Sequence, residues 1–292
     1  MSDFVQQKSF ICSFNSNEGW VILSPIELSI KHKVDSIGIP LKDWSININY
    51  GIKTGFNAAF IINSNKRQEI LRNCKTEKER QKTAELIRPI LRGRDIKRYS
   101  YEYADLYLIA TFPSKNYNIE DYPEVKKHLL SFGKERLEQT GKKYLINGEE
   151  IKARKKTNNK WFETQDSISY WEEFNKPRIV YCEIGSEMDA CMVDAGVFIN
   201  NKLYMVTGDY LEYLIIFFNS KLFNKIILQS ANLTGGKGVD FMNKIRCIVP
   251  SQKQVEQSIA ILKRNATDSE KDDFINSIYN LSDEQIKFLE EK

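Results

Sequence analysis

Residues 86–110, LIRPILRGRDIKRYSYEYADLYLIA, join a dense basic cluster to an apolar run that reads as a strand, with one glycine between two arginines. Five cationic side chains fall in this stretch, Arg88, Arg92, Arg94, Lys97 and Arg98, and only Asp95 opposes them before Glu102. A cluster of this kind is often no more than a solvated face. The layout argues for something further. An Arg-Gly-Arg turn between the end of a helix and a strand is a poor place for solubilising charge, and Gly93 lets the backbone approach a ligand closely. The flanking guanidinium groups fork naturally onto phosphate oxygens or a guanine edge. If the turn is exposed, a polyanion is its natural partner.

On the N-terminal side, SININY (45–50) alternates apolar and polar residues, GIKTG (51–55) is flanked by glycines, and AAFII (58–62) is apolar, which together predict a hairpin. Lys53 and Thr54 lie in its turn, which can hold a phosphate through backbone N–H groups or serve as a plain connection. Before the hairpin, Trp20 and Trp44 bracket a segment where Leu28, Val34 and Ile37 predict a short amphipathic helix ending at Gly38. Thr76 and Glu79 form the capping box of another helix, which Pro89 stops near Arg88. Beyond the strand LYLIAT, Pro123 with Val125, Leu129 and Phe132 predicts a further helix. His128 beside that stripe reads as a packed or surface residue rather than a catalyst.

Residues 133–165 are polar and turn-rich, a long loop or a loose hairpin. They carry the run Lys152, Arg154, Lys155, Lys156, with Trp161 and Phe162 near enough to stack on a base; a second nucleic-acid contact and a solvated loop are equal readings. From Ser167 the chain sharpens: SISYWEEF as a short helix, then RIVYCEI, MDACMVD, GVFIN and KLYMV as short, closely spaced strands. Asp209 is placed as the cap of the apolar helix YLEYLIIFFNSKLFNKIILQ. Gly235-Gly236-Lys237-Gly238 lacks the residues of a nucleotide loop and is left as a cationic loop. After the strand KIRCIVP come three helical segments, the last opened by Ser282 with Gln285. The reading is an α+β fold: a mixed or antiparallel twisted sheet, or open barrel, of short strands with packed helices, followed by a C-terminal helical tail. Its spans are a helical lead-in at 1–44, a central domain at 45–250 and the tail at 251–292.

Charge is unevenly shared. The net +4 conceals an acidic tail, so residues 1–250 hold 37 basic against 30 acidic side chains. The five cysteines, Cys12, Cys74, Cys182, Cys191 and Cys247, show no Cys-x-x-Cys spacing, which fits reduced thiols in a cytoplasm. Two histidines, His32 and His128, argue against a zinc site. Nothing approaches the ~20 apolar residues of a membrane span, and the N-terminus does not resemble a signal peptide. No Gly-x-Ser-x-Gly, His-Glu-x-x-His or nucleotide-binding glycine fingerprint occurs, so the sequence nominates no catalytic residue and no metal ligand.

Taken in order, the blocks IKTGFNAAFII, LIRPILRGRDIKRYSYEYADLYLI, PRIVYCEIGSEMDACMVDAGVFIN, EYLIIFFNSKLF and IYNLSDEQIKFLEE resemble the TaqI-like C-terminal specificity domain. That domain is the target-recognition part of adenine-specific DNA methyltransferases and of single-chain type IIG restriction-modification enzymes. The resemblance implies double-stranded DNA as the partner, a methyltransferase domain using S-adenosylmethionine, and, in the restriction enzymes, a nuclease domain using Mg2+. The Asn-Pro-Pro-Tyr motif of such methyltransferases is absent from this sequence. The resemblance therefore implies the specificity portion of a larger enzyme, or a standalone subunit, with no cofactor of its own. Its Arg-Gly-Arg-Asp-Ile block falls on Arg92, Gly93, Arg94, Asp95 and Ile96. Arg94 is expected to matter most, with Arg92, Lys97 and Arg98 on phosphates, Lys53, Thr54 and Lys237 beside them, and Arg154 and Lys155 as the second contact. Two other readings stay open: a nuclease or methyltransferase active by itself, and a protein-interaction scaffold using the acidic tail and the Trp20–Trp44 region. Turnover of duplex DNA by this chain alone would mark the first, and unchanged DNA binding with alanine at Arg92 and Arg94 would mark the second.

Overall fold

The computed structural model describes residues 23–230 and 236–291, so Cys12, Trp20 and Gly235 lie outside the described residues. Ser24 opens α1 (Pro25–Ile37) with a capping box: its hydroxyl accepts from the Glu27 N–H, and the Glu27 carboxylate accepts from the Ser24 N–H. The helix buries Ile30 and Val34, whereas Leu28 and Ile37, expected on that face, are exposed. After β1 (Ile39–Pro40) and β2 (Ile46–Tyr50), the hairpin expected from the sequence does not form. β2 pairs instead with the distant strand 203–208. The Thr54 hydroxyl donates to Asn57 Oδ1 and accepts from the Phe56 N–H, and the chain coils into α2 (Asn57–Phe60) before β3 (Ile61–Asn63).

Asn63 and Thr76 cap α3 (Ser64–Asn73) and α4 (Glu77–Leu86). Helix α4 yields at once to β4 (Ile87–Leu91), so the basic turn lies between two strands rather than after a helix. Pro89, which has no N–H, is accommodated because pairing with the neighbouring strand at 198–199 begins only at Ile90. Next come β5 (Ile96–Lys97), β6 (Ser100–Tyr101), β7 (Leu106–Ile109), α5 (Pro123–Leu130) and α6 (Lys134–Leu137). The loose hairpin foreseen within 133–165 is β8 (Lys143–Ile146) and β9 (Glu149–Lys152), turning on Asn147 and Gly148, both at positive φ.

The remaining elements are β10 (Arg178–Cys182), β11 (Ala190–Val193), β12 (Phe198–Ile199), β13 (Leu203–Gly208), α7 (Leu211–Asn219), α8 (Val239–Lys244), β14 (Arg246–Cys247), α9 (Gln252–Lys263), α10 (Asp268–Ile278) and α11 (Asp283–Glu290). Asp209 does not cap α7. The capping position is Tyr210, in the left-handed region, and the Asp209 N–H donates to the Ser45 carbonyl.

An antiparallel sheet, β11-β10-β13-β2, divides the molecule. Alternation along its strands sends Ile179, Tyr181, Ala190 and Val206 into one core and Val180, Cys191, Val193 and Met205 into the other. The first core also takes α1, α7 and the helices after Pro250, with Tyr279 stacked on Phe217 at 5.8 Å between ring centroids. The lead-in and the tail thus share one core with the central sheet. The second core lies against a mixed sheet, β12-β4-β7-β3, in which β12 and β4 run parallel. The architecture is the expected mixed α and β arrangement with C-terminal helices, and no sheet closes into a barrel among the described residues. No helix among them is long and apolar enough to cross a membrane.

Candidate nucleic-acid interface

Three chain segments leave the second core side by side and in the same direction. β4 and β12 are parallel, with Ile199 opposite Leu91, and Ile52 forms a parallel bridge to Asn200 on the other side. The Asn200 N–H donates to the Leu91 carbonyl at 3.0 Å and the Ile52 N–H to the Ile199 carbonyl at 2.7 Å. The residues that follow on the three segments are Arg92-Gly93-Arg94, Asn201-Lys202 and Lys53-Thr54. Their meeting requires Gly51, where a Cβ would sit 2.0 Å from the Asn200 carbonyl oxygen. Against them lies the loop after β10: the Cys182 thiol donates to the Gly93 carbonyl at 3.3 Å, and the Glu183 N–H donates to the Lys202 carbonyl at 3.2 Å. Turns from four parts of the sequence therefore form one rim.

On that rim the predicted cations divide. Arg94 and Lys53 are exposed, and among the described residues no hydrogen bond or ion pair engages the Arg94 side chain. Arg92 is committed: its guanidinium donates to Asp95 at 3.1 and 2.8 Å, while the same carboxylate accepts from the Arg92 N–H at 2.8 Å. Asp95 is itself buried, so this fork braces the turn and aims Arg94 outward, and it raises the Arg92 pKa. Gly93 has no steric need to be glycine, since a Cβ there would come no closer than 3.8 Å to the Lys202 side chain. Lys97 is exposed, on the β5–β6 hairpin. Arg98 turns the other way and pairs with Asp268 of α10 at 3.5 Å, tying the hairpin to the C-terminal helices.

Three residues expected as surface contacts are interior. Thr54 is buried and its hydroxyl serves Asn57. Arg154 is buried, with Nε donating to the Leu137 carbonyl and the two Nη atoms to Thr54, Glu163 and Trp161 carbonyls at 2.6 to 2.8 Å. Desolvation pushes its pKa down to about 10, which leaves it charged at neutral pH. It is a staple that fastens the 133–165 region to the Lys53 loop; Gly55, at φ +78°, leaves room for its side chain. Lys237 is buried as well, donating to the carbonyls of Gly185 at 3.2 Å and Glu187 at 2.6 Å. Trp44, named with the undescribed Trp20 as a docking region, also belongs to the first core.

Lys155 remains exposed, and Asp166 feels the charges of both Lys53 and Lys155, although burial dominates and raises the Asp166 pKa. Sequence reasoning did not nominate Asp166, Lys202 or Glu183. For Lys202 a signal existed: Asn200-Asn201-Lys202 is a turn between two apolar strands. Among the described residues no three or more His, Cys, Asp or Glu side chains gather as metal ligands.

Residues 88–242 match the TaqI-like C-terminal specificity domain. Among solved structures, the type IIL restriction-modification enzyme MmeI in complex with DNA is similar with a TM-score of 0.48 and 13% identity, covering 87% of this chain and 36% of the other. The type IIG restriction endonuclease BpuSI is similar with a TM-score of 0.46 and 10% identity, covering 82% of this chain and 28% of the other. The chain spans roughly a third of the length of either structure. No curated protein matches it.

Proposed function

Because the chain belongs to the family of TaqI-like C-terminal specificity domains, we propose that it recognises duplex DNA in a sequence-specific manner within a restriction-modification enzyme. Methyl transfer from S-adenosylmethionine, and Mg2+-dependent cleavage if the enzyme is a nuclease, are assigned to other domains of that enzyme. The domain described here supplies register and grip. Arg94 is the side chain assigned to base reading, by a bidentate approach to a guanine edge, while Lys53, Lys97, Lys155 and Lys202 hold phosphates. Arg92 and Arg154 act behind them by fixing the turns that carry these groups.

The observation that carries the reading is the parallel run of Leu91, Asn200 and Ile52, which delivers exposed cations from three remote parts of the chain to one rim. Phosphate neutralisation of this kind releases counterions, so the logarithm of affinity falls linearly with the logarithm of salt concentration, by ~0.9 per phosphate contacted. The test is fluorescence anisotropy of a labelled mixed-sequence duplex across a salt series. A steep negative slope that becomes shallower by about 1 in Lys53→Ala is expected. A flat salt response, or unchanged binding by a folded Lys53→Ala and Arg94→Ala double variant, overturns the reading.

A further inference from the structure

The loop that leaves β10 presents Ile184 with 72% of its surface exposed. A single exposed isoleucine is ordinary. What surrounds this one is not. Lys237 is 2% exposed, and its ammonium is spent on the carbonyls of Gly185 and Glu187, just beyond Ile184, while its own N–H donates to the carbonyl of Glu183, just before it. These three hydrogen bonds pin the backbone on both sides of Ile184. Gly185 and Gly236, at φ +154° and +128°, let the two segments close on each other. The result is an aliphatic tip held stiffly at the rim where Gly93 and Lys202 meet the end of β10.

The charges on the loop set the direction of approach. Glu183 is fixed by the Tyr204 hydroxyl at 3.2 Å, and Glu187 is exposed. Carboxylates on both sides of the tip repel phosphates, whereas Arg94, Lys202 and Lys53 attract them. A duplex settling on this rim therefore places its backbones over the cations and a groove over the loop. A stiff apolar tip that enters a groove loses little conformational freedom on binding.

We propose that Ile184 is an apolar wedge that seats against the base stack of duplex DNA, unstacking one base step while the cations around it hold the flanking phosphates. This rests on the duplex-recognition reading above, and the experiment is built to separate the two.

A randomised duplex pool is selected on the full chain, and 2-aminopurine is then placed at successive positions of an enriched duplex. Wild type, Ile184→Ala, Ile184→Leu and Arg94→Ala are compared, with thermal melting as the folding control. Expected are a rise in 2-aminopurine fluorescence at one step with wild type and Ile184→Leu, and its loss in Ile184→Ala. That variant should bind the enriched duplex on the order of tenfold more weakly with an unchanged salt slope. Arg94→Ala should keep the fluorescence rise at saturation. If Ile184→Ala binds within about twofold of wild type, or if wild type binds duplex with no unstacked position, the wedge is overturned while duplex recognition stands. If wild type binds no duplex, both fall together.

Discussion

Arg94 and Arg154 occupy similar sequence surroundings, each a guanidinium within a run of cations, and the fold treats them oppositely. Arg154 donates to four backbone carbonyls in the interior, and Arg94 projects from a braced turn with no protein partner among the described residues. Arg92 stands between these extremes, part exposed and locked to the buried Asp95. The difference teaches that local cation density does not measure a binding surface. What matters is whether orphan carbonyls lie within reach, because a buried carbonyl without a donor costs more than burying a guanidinium that satisfies several at once.

The comparison predicts a graded series of effects. The largest belongs to Arg154→Met, which strips donors from four carbonyls and should cost ~3 kcal/mol or more, read as a lower denaturant midpoint. A midpoint shift no larger than that of Arg94→Ala would break the contrast between the two arginines. Asp95→Ala comes next. It removes the acceptor of the Arg92 fork and should cost about 2 kcal/mol, with the turn loosened and Arg92 released to solvent.

His128 provides a smaller effect and a third kind of basic side chain. Its Nε2 lies 3.0 Å from the Ala59 carbonyl, and burial lowers its pKa below the usual 6.5. As pH falls through that ordinary value, the unfolded chain takes up a proton that the folded ring resists, so stability is lost toward acid, by at most about 1.4 kcal/mol per pH unit. Urea midpoints at neutral and mildly acidic pH should converge in His128→Asn; an acid limb as steep as wild type would show that other groups set it. The smallest stability effects are expected for Arg94→Ala and Lys53→Ala, within about 0.5 kcal/mol of wild type. Duplex affinity and its salt slope, not the midpoint, should register these two changes.

Much of the architecture was legible in the sequence. Capping residues announced α4 and α11, apolar spacing announced α1, and the apolar runs RIVYC and LYMV gave two strands of the central sheet. The N-terminal hairpin was misread because alternation in SININY reports a half-buried strand without saying which strand it joins; the partner of Ile48 is Val206, not a residue of AAFII. Within the candidate site, Arg92 to Arg94 stood out by composition. Burial of Lys237, Arg154 and Thr54 was invisible, because it depends on carbonyls brought in from remote segments such as Gly185, Trp161 and Leu137. Lys202 escaped notice because the turn Asn200-Asn201-Lys202 marks a connection between strands without telling which other turns meet it.

The register of β2 against β13 has a kinetic consequence. Tyr50 opposes Tyr204, so this edge strand waits for a partner synthesised 154 positions later. Contacts so remote along the chain slow folding, because loop closure precedes any reward from pairing. Until β13 emerges, Ile46 and Ile48 have no sheet to join and neither core has its dividing wall. Nascent chains should then be vulnerable to aggregation, and slower translation or cooler expression should raise the recovered yield.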